Sequence, residues 1–234
     1  MTIDEFTAQV IEGYLFKDLK NMSLIKLGKG EDYGACGYPM VSAILSGIEL
    51  LGALLNRVTF SPAPGAGNTY FLNYWDNYLA KEKPDYAGRG PMIRKLVRHG
   101  LAHQFVTKPG IAVTKNHQRL HLSRFSSPTA GDGLFIDAVR FYKDLERSYN
   151  KLVKPVITNN RPFKSVMQQR LDEIEAVYSK ESLTYFPQSI QPTTSTFTLV
   201  KASGASVSFP PVTSSGIRGL SASTTLPPWD PEPE

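Results

Sequence analysis

Two arginines and two histidines crowd one short run of this chain, Arg94-Lys-Leu-Val-Arg98-His99-Gly-Leu-Ala-His103-Gln-Phe105. Each histidine follows an arginine by five positions, His99 after Arg94 and His103 after Arg98. A guanidinium holds phosphate oxygens in a planar, bidentate way, and an imidazole can carry a proton near neutral pH. Together these groups suit cleavage of a phosphodiester. The spacing alone discriminates poorly. With 11 arginines and 4 histidines in 234 residues, an Arg-x(4–6)-His match arises roughly 0.5 times by chance.

Three kinds of chemistry fit these residues. RNA carries its own nucleophile, the ribose 2′-hydroxyl, so its cleavage needs only a base for that proton and cations for the negative phosphorane. His103 would move the proton and Arg98 would clamp the phosphate, with no metal or other cofactor. Alternatively, His99 and His103 lie four apart on one helix face and could begin a metal site, but a zinc ion needs a third protein ligand and nearby arginines repel it. In the third reading the run is structural, with Arg98 paired to a carboxylate such as Glu49 and His103 capping a helix end. His117 and His121 share the same spacing. On a strand they would stand roughly 13 Å apart, too far to share an ion, and read as a turn residue and an outward-facing strand residue.

Arg98-His99-Gly-Leu-Ala-His103, set behind the apolar Ile93, Leu96 and Val97, resembles the Arg-(polar)-x(3–5)-His signature of the HEPN superfamily. That family consists of small helical bundles, several of which are metal-independent ribonucleases. The surrounding order is similar too, a long apolar helix upstream and another helix downstream. The resemblance implies a helical bundle in which His99, in the polar position, orients the scissile phosphate or protonates the leaving oxygen. It also implies a homodimer that brings two motifs together, in the setting of growth control or phage defence. There a toxin would meet RNA and an antitoxin or other protein partner. Some members of the family look like non-catalytic binding modules, and that alternative stays open.

The geometry of one helix does not unite Arg98 with His103. Five residues turn about 500°, leaving the two roughly 140° apart around the axis. They converge where the helix unwinds, for which Gly100 is suited, or where a second protomer contributes.

The elements that must position the motif are legible from periodicity. Ile3 to Leu19 reads as a first helix, with Thr2 and Glu5 in capping-box register. Pro39 to Leu55 carries Glu49 as its one charge; it is at the short limit for a membrane span and reads as a buried central helix entered at a proline. An aromatic-rich helix capped by Asn68 follows to Leu79, and the next starts at Pro91. Ile111-Ala-Val-Thr and Gln118-Arg-Leu-His-Leu alternate around Lys115-Asn116 and predict a β-hairpin. A helix is predicted from about Leu134 to Lys154, with Leu134, Phe141, Tyr142, Leu145, Tyr149 and Leu152 on its core face. Its opposite face gathers Arg140, Lys143, Arg147, Lys151 and Lys154. With Arg94, Arg140, Lys143, Arg147 and Lys151 are the candidate phosphate contacts, although a charged outer face is also what any surface helix carries. A last helix, about Phe163 to Lys180, sets Phe163, Val166, Met167, Leu171, Ile174, Val177 and Tyr178 on one side.

The fold class expected is all-α: five to six helices over residues 1–182, one small hairpin, and a Pro/Ser/Thr-rich disordered tail over 183–234. From Phe186 onward, 24 of 49 residues are Pro, Ser or Thr, too little apolar surface to offset ordering entropy. Without those residues the chain keeps 24 basic and 18 acidic side chains, a positive balance that suits a polyanion. The acidic start lacks a signal-peptide pattern, and Cys36 is alone, so a reducing, cytoplasmic setting without a membrane is expected.

Overall fold

A computed structural model describes residues 1–26, 28, 35–98, 100–101, 107–115, 117–127 and 131–185. The predicted tail beyond Tyr185, with its low-complexity composition, lies outside them. The described residues are mostly helical, in six helical runs with a small three-stranded sheet.

Helix α1 occupies residues 3–24 and passes from Ile3–Phe6 through the π-helical Thr7–Phe16 to Lys17–Leu24. Its start is the expected capping box: Glu5 N–H donates to Thr2 Oγ1 at 3.2 Å, and Thr2 N–H donates to Glu5 Oε2 at 2.9 Å. Helix α2, Gly37–Leu54, runs through the core of the described residues. Met40, Val41, Ile44, Leu45, Ile48 and Leu51 are each buried, so this helix, long and apolar enough to cross a bilayer, is packed in the core instead.

Helix α3 covers residues 66–82 and crosses α2 closely. A Cβ on Gly52 would stand 1.8 Å from the Tyr70 carbonyl oxygen, so only glycine permits that approach. Asn73 Nδ2 donates to the Gly52 carbonyl at 3.1 Å and fixes the crossing. Helix α4 covers residues 90–98, as Gly90–Ile93 followed by the π-helical Arg94–Arg98.

The sheet corrects the predicted hairpin. Strand β1, Ile111–Thr114, pairs in parallel with β3, Gly131–Asp137, and β2, Arg124–Ser127, pairs antiparallel with β3. Gln118–Leu120 is a 3-10 turn rather than a strand. The cause is hydrogen bonding to a carboxylate farther along the chain. Asp137 Oδ2 accepts from Thr114 Oγ1 at 3.2 Å and from His117 N–H at 3.0 Å, which ties the chain after β1 to the end of β3.

The next helix also begins later than predicted. Leu134 to Asp137 belongs to the sheet, and Asp137 then caps helix α5 by accepting from Arg140 N–H at 2.8 Å. Helix α5 covers residues 138–159, as Ala138–Ser148, π-helical Tyr149–Val153 and Lys154–Asn159. Phe141, Tyr142, Leu145 and Tyr149 are buried as their periodicity predicts. Beyond Tyr149 the wider turn shifts the phase, so Val153 is buried and Leu152 is only half-buried. Helix α6, Arg161–Tyr185, buries Met167, Leu171 and Ile174, then outruns the core: Tyr178 is 62% exposed. It also runs past the predicted domain boundary at 182.

Placing a methyl group at Gly52 tests the crossing. Gly52→Ala is expected to cost about 1–3 kcal/mol or more through overpacking, because the obstructing atom belongs to backbone. Urea unfolding should show a lower midpoint with an unchanged m-value.

Candidate functional site

Arg98 closes the π-helical end of α4, and its guanidinium turns onto the side of α2. Both Nε and Nη2 lie 3.1 Å from Glu49 Oε2, and the two side chains are about one-quarter exposed, at 29% and 25%. Glu49 fits there because residue 67 is glycine, where a Cβ would come within 2.3 Å of Glu49 Oε1. The structural pairing of Arg98 with Glu49 is therefore present.

The pair also lines an open groove of about 390 Å³. One wall is α2, with Ser46 and Glu49; the facing wall is the exposed end of α6, with Tyr178 and Glu181. The strap between α2 and α3 forms the third side. Phe60 N–H donates to Glu173 Oε2 at 2.7 Å, and Ser61 N–H donates to the Tyr70 hydroxyl at 2.7 Å, which fastens the strap to α6 and α3. The Phe60 and Tyr70 rings stack with centroids 5.5 Å apart.

A guanidinium has five N–H donors. Glu49 engages Nε and one N–H of Nη2, so three remain for an acceptor entering the groove, counting contacts among the described residues. Arg94 lies half-buried in the same π turn. His99 and His103, the proposed proton-transfer groups, lie outside the described residues. The same holds for the metal reading built on them; among the described residues no three potential ligands cluster.

The cations of α5 are exposed apart from the half-buried Arg140, but most meet carboxylates. Arg140 Nε is 3.0 Å from Asp144 Oδ2, while Arg147 Nε and Lys151 Nζ converge on Glu82 Oε1 at 2.5 and 2.8 Å. Lys151 and Arg147 hold the Glu82 carboxyl below the usual carboxylate range. Lys154 reaches Glu12 at 2.8 Å, and Lys143 donates to Gln118 Oε1 at 3.3 Å. A phosphate on this face competes with Asp144 and Glu82. Glu82 was invisible as a partner in the sequence, because it stands 65 residues before Arg147.

Sequence reasoning also missed a second cluster, around His121. This histidine does not face outward from a strand; it follows the 3-10 turn and packs on Tyr86 and Phe141. Its Nδ1 accepts from Asp137 N–H at 3.0 Å, which assigns the hydrogen to Nε2. Nε2 lies 2.8 Å from the Tyr86 hydroxyl, which donates in turn to Asp144 Oδ2 at 3.2 Å. Next to it Leu122 takes a left-handed φ of 61°, unusual for a bulky residue, and its carbonyl accepts from Arg89 Nη1 at 2.6 Å. The only advance signal was the Arg140/Asp144 spacing.

Burial, reinforced by Arg140 and Arg89, lowers the His121 pKa to about 3. The ring is thus a neutral clasp joining the sheet, α5 and the 84–86 turn, and it supplies no acid or base near neutral pH.

The chain matches no protein-family model, no curated protein and no solved structure.

The clasp has a pH signature. Between the ordinary histidine value of 6.5 and about 3, the unfolded chain holds a proton on His121 that the folded chain refuses. Stability from the neutral ring is therefore complete above 6.5 and is lost as pH falls through that window. His121→Phe keeps the ring packing and removes the titration. Thermal unfolding from pH 7 to pH 5 should show a stability gap between the natural protein and the variant that narrows on acidification; a constant gap would contradict the assignment.

Proposed function

We propose that this protein is a metal-independent, HEPN-like RNA-cleaving enzyme whose phosphate site is the Arg98 end of the groove. The observation that supports this is a guanidinium anchored on one side by Glu49, with three of its N–H donors unengaged by the described residues, on the wall of a cavity. The segment carrying His99 and His103 follows it directly in the chain.

The chemistry divides as follows. His103 takes the 2′-hydroxyl proton as the oxygen attacks phosphorus. Arg98 holds the phosphorane oxygens, and His99 returns a proton to the departing 5′-oxygen. The products are a 2′,3′-cyclic phosphate and a free 5′-hydroxyl. Glu49 serves as a positioning residue, holding the fork of Arg98 in place. A homodimer completes the site by bringing two copies of the motif together, a cytoplasmic setting suits the lone Cys36, and a protein antidote would suit a growth-arresting or phage-defence role.

A second reading rests on the same ion pair. If the Glu49 contact satisfies Arg98 outright, the bundle is a binding module for nucleic acid or protein, and the α5 cations Arg140, Lys143, Arg147 and Lys151 carry the contact with RNA.

Incubating purified protein with mixed RNA in EDTA separates the readings. Cleavage should persist in chelator and fall at least about 10²-fold in His103→Ala. Arg98→Lys should lose cleavage as well, since an ammonium lacks the fork that spans carboxylate and phosphate. RNA left whole by the natural protein under every condition would favour the binding module.

The cationic face makes its own prediction. Replacing Arg140, Arg147 and Lys151 together by Gln should weaken RNA binding and flatten its salt dependence by up to about three in log–log slope. An unchanged slope would show that Asp144 and Glu82 hold these cations out of contact.

A further inference from the structure

The groove beyond Arg98 has walls of a different chemistry from its mouth. Along α6, Ile174, Val177, Tyr178 and Glu181 follow one another at helical spacing, so a single stripe leaves the core and continues as a side of the groove. Its deep part is apolar, its rim is an aromatic ring, and its last member is a carboxylate. Tyr178 is 62% exposed, although it continues a row of core residues. Opposite it stand Phe60 and Tyr70, stacked on each other and fixed by hydrogen bonds to Glu173 and Ser61. The polar groups of the walls, Glu49, Glu181 and the two serines, offer acceptors, and Arg98 is the one cation lining the groove among the described residues.

A ligand fitting this arrangement has an anionic end, a flat apolar body and an edge rich in N–H donors. A volume of about 390 Å³ is of the size that takes a small molecule. Nucleotides supply the first two features. Among the bases, guanine alone presents two adjacent donors, N1–H and the N2 amine, with no acceptor between them. A carboxylate pairs with those two hydrogens through both of its oxygens. Glu49 is not available for that task, since Oε2 is held by Arg98 and Oε1 abuts Gly67. Glu181, on the exposed end of α6, is.

We propose that this groove is a guanine-nucleotide subsite, with Tyr178 stacking on the base, Glu181 reading its N1–H and N2 edge, and Arg98 holding its phosphate. The inference deepens the RNA-cleavage reading and rests on it for the role of Arg98. Base stacking and edge recognition need a splayed-out base, so a guanine in an unpaired strand and a free guanine mononucleotide share this chemistry.

The test is a titration of the intact protein with 5′-GMP, 5′-AMP and 5′-CMP, followed by NMR or equilibrium dialysis. A 2′-O-methyl trinucleotide with a central guanine is titrated alongside as an uncleavable strand. GMP should bind about tenfold more tightly than AMP or CMP. Tyr178→Ala should lose about tenfold for all three, and Tyr178→Phe should bind as the natural protein does. Glu181→Gln should erase the preference for GMP while leaving AMP unchanged. Both residues are exposed, so circular dichroism should show every variant folded. A trinucleotide that binds more tightly than GMP identifies an RNA strand as the ligand; the reverse identifies the free nucleotide.

Equal affinity for the three nucleotides, or a Tyr178→Ala protein that binds as well as the natural one, overturns the subsite. Cleavage in EDTA would then still stand by itself. Intact guanine preference without any cleavage would instead retain the subsite and remove the nuclease reading.

Discussion

One carboxylate sits in the side of a helix that carries no other charge and runs through the core of the described residues, and one guanidinium makes that placement tolerable. Glu49 would be costly among the neighbours of α2 without a partner, because a partly buried charge loses water and gains nothing in return. Arg98 supplies two N–H donors at 3.1 Å, and Gly67 supplies the space. The same pairing ties the last residue of the π turn in α4 to the side of α2. Removing either partner strands the other, which is why the pair constrains how α4 packs on α2.

Around that contact the molecule is arranged so that rigid parts frame an open one. The α2–α3 crossing has no room for a side chain at Gly52, and in the aromatic centre Trp75 meets Tyr86 and Phe141 edge-on at 5.3 and 6.0 Å while those two stack at 5.8 Å. The His121 clasp then ties the sheet to α5 through Asp137, Tyr86 and Asp144. By contrast, the strap at residues 60–63 and the end of α6 rest on a few hydrogen bonds and face solvent. Adaptable binding surfaces are drawn from such regions, where local opening costs little.

Much of this was legible in the sequence. The apolar run at 39–55 marks the buried helix, and the Thr2/Glu5 box marks where the first helix begins. The 3.6-residue rhythm of the segments predicted at 134–154 and 163–180 marks the buried faces of α5 and α6 up to Tyr149 and Ile174. What was illegible is what depends on distant partners. The run after Thr114 alternates like a strand, yet the pull of Asp137 on Thr114 and His117 folds it into a turn. A π-helical turn at Tyr149–Val153 exchanges Leu152 for Val153 in the core, a one-residue change that no periodicity reports. Of the candidate site, Arg98 and its Glu49 partner could be read in advance. The carboxylates that meet the α5 cations, the buried His121 and the aromatic walls of the groove could not, because each joins residues dozens of positions apart.

The proposed site requires that Arg98 carry a phosphate while Glu49 still holds it. The most direct measurement is the ¹⁵N–¹H signal of Arg98 Nε during titration with an RNA whose 2′-hydroxyls are methylated, so that the strand binds without reacting. This signal should shift and sharpen on binding, stay hydrogen-bonded to Glu49 throughout, and move away in Glu49→Gln. An Arg98 Nε signal that is unmoved at saturating RNA, while the α5 guanidinium signals shift, would contradict it.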